Sequence, residues 1–151
     1  MRKCFYAVIG FFLLGLSLSM AQANSAEKKT GSTIEVRVNY SGSGTVDEKH
    51  QIFVVLWDSS NFVEPNNNTI PIAVQSTASK NGIVTFSDVQ ARPAFVSAAY
   101  DPSGNWDAHS APPSGTSLGL YSKTGKPEPI DTEPGKTTKI ELKFDDSVKM
   151  P

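Results

Sequence analysis

The chain has 151 residues, a formal net charge of −1, 38% hydrophobic and 9% aromatic residues, and a single cysteine. That length suits one domain with a core of its own, and one cysteine excludes an intramolecular disulfide framework. A near-neutral charge without a basic cluster argues against a nucleic-acid partner.

Arg2 and Lys3 precede an apolar run over residues 5–16, and Ala21-Gln22-Ala23 supplies the small residues that a signal peptidase accepts. Residues 1–23 are therefore expected to be a secretory signal peptide. The run falls short of the roughly 20 apolar residues of a membrane span. Cys4 precedes the run instead of following it, where a lipid-modified cysteine would stand. Cleavage takes the net charge from −1 to −3 and leaves neither cysteine nor membrane anchor. The expected location is the periplasm or the cell exterior.

Residues 24–32, rich in Lys, Ser, Ala and Gly, predict a flexible tail, with order from about Thr33. Ile34, Val36, Val38 and Tyr40 alternate with Glu35, Arg37 and Asn39, the pattern of a strand with one buried face. After the Ser41-Gly42-Ser43-Gly44 turn, residues 52–57 are apolar on both faces, which predicts a central strand with Trp57 in the core. Residues 58–68 form a loop from which Phe62 and Val63 are expected to pack back onto the core. A strand over residues 70–77 has Pro71 near its start, the mark of a sheet edge.

Asn81-Gly82 predicts a hairpin turn into a strand over residues 83–87. A strand over residues 94–100 is expected to neighbour it, joined by the tight connection Val89-Gln90-Ala91-Arg92-Pro93. A loop over residues 101–115 leads to a short strand within residues 116–122, and a proline-bearing loop fills residues 123–135. The last strand, over residues 137–144, turns Ile140, Leu142 and Phe144 inward and Lys139, Glu141 and Lys143 outward, where lysines guard an edge. Residues 147–151 are expected to be a C-terminal tail. Seven short strands without helical periodicity predict an all-β Greek-key sandwich, one domain over residues 33–146.

The succession of residues 34–40, residues 52–57 with Asp58, Val84-Thr85-Phe86-Ser87-Asp88-Val89, residues 95–101, Gly104, Pro134-Gly135-Lys136-Thr137 and Ile140-Glu141-Leu142 covers nearly all of residues 24–151. It resembles the transthyretin-like (prealbumin-like, carboxypeptidase-regulatory-like) β-sandwich modules of exported bacterial proteins. Where such modules often carry a Pro-Gly turn before the aromatic strand, this chain has Ala91-Arg92-Pro93-Ala94. The resemblance implies a transthyretin- or immunoglobulin-like sandwich that serves as a binding or structural module.

Asp101, Ser103, Asn105 and Asp107 set oxygen-bearing side chains at alternate positions, a spacing that can converge on calcium. The same residue types also cap their own backbone in a turn. A calcium loop of the helix-loop-helix kind needs Gly at its sixth position and Glu at its twelfth, where Trp106 and Pro112 stand.

Gly115-Thr116-Ser117-Leu118-Gly119 has the spacing of a nucleophile elbow, but Gly125, Pro127 and Pro129 preclude the helix that must follow one. His50 and His109 have no metal-site spacing. His109 beside Asp107 leaves an alternative reading, a small calcium-dependent or hydrolytic enzyme centred on residues 101–107.

Aromatic rings in loops stack on sugars and pack on protein partners, which makes Trp106, with Tyr100 and Tyr121, candidate ligand contacts. The sequence thus predicts a monomeric or weakly associating, non-enzymatic module with no cofactor unless calcium. Its expected partner is a protein or a carbohydrate, met by the loops of residues 58–69 and 101–115.

Overall fold

The computed structural model describes residues 31–64, 69–108 and 110–151. The expected signal peptide, most of the expected N-terminal tail, residues 65–68 and His109 lie outside them. The described chain is all-β apart from one 3-10 turn, Ser60–Val63. Its strands are β1 Ser32–Tyr40, β2 Ile52–Trp57, β3 Ala73–Thr77, β4 Ile83–Val89, β5 Phe95–Tyr100, β6 Ser117–Leu120 and β7 Thr137–Phe144.

They form a three-stranded sheet, β4-β1-β7, and a four-stranded sheet, β3-β2-β5-β6, that enclose one core as a β-sandwich. All neighbours are antiparallel except β1 and β7, which run parallel.

Period-two patterning decides which side chains meet between the sheets. Ile34, Val36 and Val38 of β1, Leu142 of β7 and Ile52 and Val54 of β2 are wholly buried. Tyr40 stacks on Tyr100 across the sandwich at 4.9 Å and touches Phe144 at 4.8 Å. Gly119 faces the same interior, where an added Cβ would come within 2.5 Å of the Phe144 ring. As expected, Ile140, Leu142 and Phe144 point inward while Lys139, Glu141 and Lys143 are exposed. β2 is an inner strand, and β3, which follows Pro71, is an edge.

Six expectations need correction. β4 and β5 are not neighbours, because β4 pairs with β1 and β5 with β2. β4 is wet at Ile83, Thr85 and Ser87, whereas β5 is buried at five of its six residues, so each joins the sheet whose outer face suits it. The Asn81-Gly82 turn makes no β3–β4 hairpin: the amides of Val38 and Tyr40 donate to the carbonyls of Gly82 and Lys80, fastening the turn to β1.

The strand expected from residue 70 begins at Ala73, with Ile70 80% exposed before a proline that cannot donate to a ladder. Val63 is exposed, and Phe62 packs on Trp57 outside the core. Trp57 itself lies on the outer face of its sheet, the parity of β2 opposing it to Leu56.

Residues 147–151 are tied down instead of loose. The Leu118 amide donates to Val148 O and the Met150 amide to Thr116 O, both at 2.8 Å, so the C-terminus runs along the edge of β6. Asp146 anchors this crossing from one sheet to the other. It accepts from Tyr40 Oη at 2.5 Å, Ser117 Oγ at 2.7 Å and the Ser43 amide and hydroxyl at 2.8 and 2.9 Å. The Tyr40 bond first, then the Ser43 amide and Ser117, hold the Asp146 carboxyl well below its usual range. Burial, then the bond to Asp146, push Tyr40 up to about 12.

Candidate functional site

The alternation that sends Ile52, Val54 and Leu56 of β2 into the core turns Phe53, Val55 and Trp57 to the outside. Through the register of the sheet, Val74 and Ser76 of β3, Phe95, Ser97 and Ala99 of β5, and Leu118 and Leu120 of β6 share that outer face. A sheet face of this composition is ordinarily found under a helix or a second sheet. Here loops lie over it. Val55, Phe95 and Ala99 are 7%, 8% and 4% exposed although they stand apart from the core between the sheets.

Each loop contributes an aromatic ring. Phe62, in the 3-10 turn, stacks on Trp57 at 4.9 Å with an interplanar angle of 7°, and Trp57 Nε1 donates to Ser97 Oγ at 2.9 Å. Trp106 meets Phe53 edge-on at 4.9 Å and 74°, and its Nε1 donates to the Ser110 carbonyl. Beside the second contact opens a groove of about 280 Å³ lined by Phe53, Val74, Gln75, Ser76, Asp107 and Ala108. Ala108 holds φ at +60°, a left-handed conformation that costs any residue with a Cβ.

Asp101 builds the loop that carries Trp106. It is 1% exposed, and its carboxylate accepts from the Ser103 amide and hydroxyl at 2.9 and 2.7 Å and from the Trp106 amide at 2.9 Å. Burial pushes the Asp101 carboxyl up. The bonds from the Ser103 hydroxyl and the Trp106 and Ser103 amides outweigh that, leaving it below the usual carboxylate range. Gly104 is needed here: its φ is +66°, and a Cβ would meet Lys49 O at 2.8 Å.

Of the four oxygen-bearing residues with calcium spacing, Asp101 is thus spent on its own loop while Ser103, Asn105 and Asp107 are exposed. Asp101 caps this turn through the Ser103 and Trp106 amides, and among the described residues there is no group of three or more His, Cys, Asp or Glu that could hold a metal ion.

The three aromatic candidates separate. Trp106 lies half-buried on the outer face, edge-on to Phe53. Tyr100 is 5% exposed, stacked on Tyr40 and donating its hydroxyl to Thr45 O at 2.8 Å, because its parity on β5 points it into the sandwich and not toward a ligand. Tyr121 is half-buried, packed against the core. Ser117 of the elbow-like pentapeptide is 1% exposed within β6, bonded to Asp146 and to Lys149 Nζ, and no helix follows. His50 bonds to Asp47 at 2.9 Å in a surface turn. The Asp107–His109 pair lies half outside the described residues.

Phe53, Val55, Phe95 and the β3 residues do not stand out as a surface from sequence alone. The signal for them was the run of residues 52–57, apolar on both faces, which has two burial partners to find and not one. No protein-family model, curated protein or solved structure matches this chain. No helix among the described residues is long and apolar enough to cross a membrane.

Proposed function

We propose that this chain is an exported, non-enzymatic binding module of the transthyretin-like Greek-key kind, released to the periplasm or cell exterior as a monomer. Its contact surface is the aromatic outer face of the four-stranded sheet with the loops of residues 58–69 and 101–115. The observation that carries this reading is the asymmetry of the two outer faces. Phe53, Val55, Trp57, Phe95, Leu118 and Leu120 share one face, where Val55 and Phe95 lie beneath the loops and the other four stay half-buried. Apolar side chains that loops cover only in part, with Ile70 and Ile72 exposed just ahead of β3, are the kind of surface that meets a partner. Loops on a rigid sheet supply the adaptable rim of such a site.

Both tryptophans of the chain, Trp57 and Trp106, sit on this face, so intrinsic fluorescence is a direct probe of it. The experiment is a titration of the purified chain with a panel of soluble glycans and of synthetic peptides, followed by tryptophan emission. A binder is expected to shift the emission, with the Trp106 part of the shift lost in Trp106→Phe. A binder that leaves both tryptophans unmoved and perturbs the amides of β1 and β7 instead would place the contact surface on the other sheet and end this proposal.

A further inference from the structure

We propose that the free edge of β3 takes up an extended polypeptide segment as an added strand, with a lysine or arginine side chain of that segment seated in the groove beside Asp107. This rests on the reading of the aromatic face as a binding surface and names its partner class.

The four sheet edges are not alike. The edge of β6 is covered by the C-terminal residues that bond to Leu118 and Thr116. β7 carries Lys139, Glu141 and Lys143. β4 has a register irregularity in its pairing with β1 and ends near Asp88, whose φ is +57°. Charge, irregularity and a covering segment are the devices that keep an edge from pairing. Ala73-Val74-Gln75-Ser76-Thr77 has no charge, no proline and no irregular register against β2. Among the described residues no backbone bond reaches the side of β3 away from β2. The complement of such a row of amides and carbonyls is another extended backbone.

The groove shows what kind of strand fits. Val74 and Ser76 pair with outward-facing Val55 and Phe53, whereas Gln75 pairs with inward-facing Val54. One groove touches all three consecutive residues and so runs along β3. Phe53 and the exposed Asp107 line it as well. A groove lined by Phe53, Val74 and an acidic residue suits a side chain with an aliphatic stem and a cationic head, and the aromatic residue favours the same cation.

A second copy of this chain fits less well. Symmetric pairing of β3 with itself would set groove against groove and leave both unfilled. A strand of five residues also spans only about 17 Å, short of what a stable dimer interface of about 1,600 Å² needs.

The test is selection of phage-displayed random twelve-residue peptides on the immobilised chain, followed by NMR and titration of the synthesised winners. The expected winners have apolar residues at alternate positions around a Lys or Arg, and they slow amide exchange in β3 on binding. Ser76→Lys and Asp107→Lys, each shown to melt like the parent, are expected to weaken them on the order of tenfold or more. Asp107→Lys should select acidic residues at the same position.

Winners that shift Trp106 emission but leave β3 exchange unchanged and tolerate Ser76→Lys would overturn strand addition while sustaining the aromatic face as a binding surface. Winners that move neither tryptophan nor β3 would end both readings. A reversible dimer in sedimentation, abolished by Ser76→Lys, with no peptide enriched, would assign the edge to a second copy and overturn the proposal.

Discussion

On the outer face of the three-stranded sheet, Glu35 stands beside Lys139, Arg37 beside Glu141 and Asn39 beside Lys143 in the β1–β7 register. The corresponding face of the four-stranded sheet presents Phe53, Val55, Trp57, Phe95, Leu118 and Leu120. Both sheets give their inner faces to the same core, so the requirements of folding do not explain the difference. Charged pairs across neighbouring strands tolerate water on a finished surface. An apolar face needs a cover, and loops with Phe62 and Trp106 provide part of one. The contrast teaches that one sheet ends at solvent and the other continues outward into an additional layer.

The strongest way to break that contrast is to change the charge on each face. Val55 is 7% exposed beneath the loops, so Val55→Asp buries an unpaired carboxylate and is expected to cost at least about 3 kcal/mol. Arg37 is exposed, and Arg37→Ala is expected to change stability by no more than about 0.5 kcal/mol. Urea unfolding followed by tryptophan emission measures both. Equal small effects would mean that the loops do not cover the aromatic face.

Next in size is the Asp146 anchor, which holds the two sheets, and hence the two faces, in one relation. Asp146→Ala removes the acceptor of Tyr40, Ser43 and Ser117 and is expected to cost about 2–3 kcal/mol. Its pH signature has two arms. Because the fold holds Asp146 well below the usual carboxylate range, the unfolded chain binds the proton first as pH falls. The stability it contributes is complete above about pH 4 and is lost progressively below that.

Tyr40, raised to about 12 from 10.0, contributes stability that is complete below pH 10 and is lost as pH rises between the two values. Melting temperature against pH should therefore fall at both ends. Asp146→Asn is expected to flatten the acid arm without abolishing it, because Asp47, Asp101 and Asp145 are also lowered.

The patterning of β1 and β7 was open to the sequence because each has one wet face, so alternation marks both edges and sides of the strand. β2 gave its place in the middle of a sheet by the same logic, yet not the meaning of its second apolar face. Partner choice was not open. Asn81-Gly82 carries a hairpin signature, but local turn chemistry does not reveal that β1 already supplies the partner for β4. Nor does the spacing of Asp101, Ser103 and Trp106 tell a cation loop from a capped one. The structure adds what spacing does not carry: the Ser103 and Trp106 amides turn inward onto the Asp101 carboxylate, around a Gly104 whose φ is +66°.

A smaller effect sharpens the picture of the aromatic face. Ala108 lines the groove in a left-handed conformation, so Ala108→Gly relieves that strain and is expected to stabilise the chain by about 0.5–1 kcal/mol. If the loop is held in this conformation to shape the groove, the freer glycine should also weaken any ligand bound there, read as a lower affinity at higher stability in the same fluorescence titration.

The smallest effect belongs to the charged face. Lys139 Nζ lies 3.1 Å from the Glu35 carboxylate with 71% of the lysine side chain exposed. Such a pair gains little because water screens the attraction and both side chains lose rotamer freedom. A double-mutant cycle of Glu35→Gln and Lys139→Gln is expected to give a coupling of no more than about 0.5 kcal/mol, shrinking further as salt is raised from 0.05 to about 0.5 M. A coupling several times larger and insensitive to salt would mean that this face is also shielded from water. The three-stranded sheet would then have a covering layer of its own, and the asymmetry that sets the aromatic face apart would disappear.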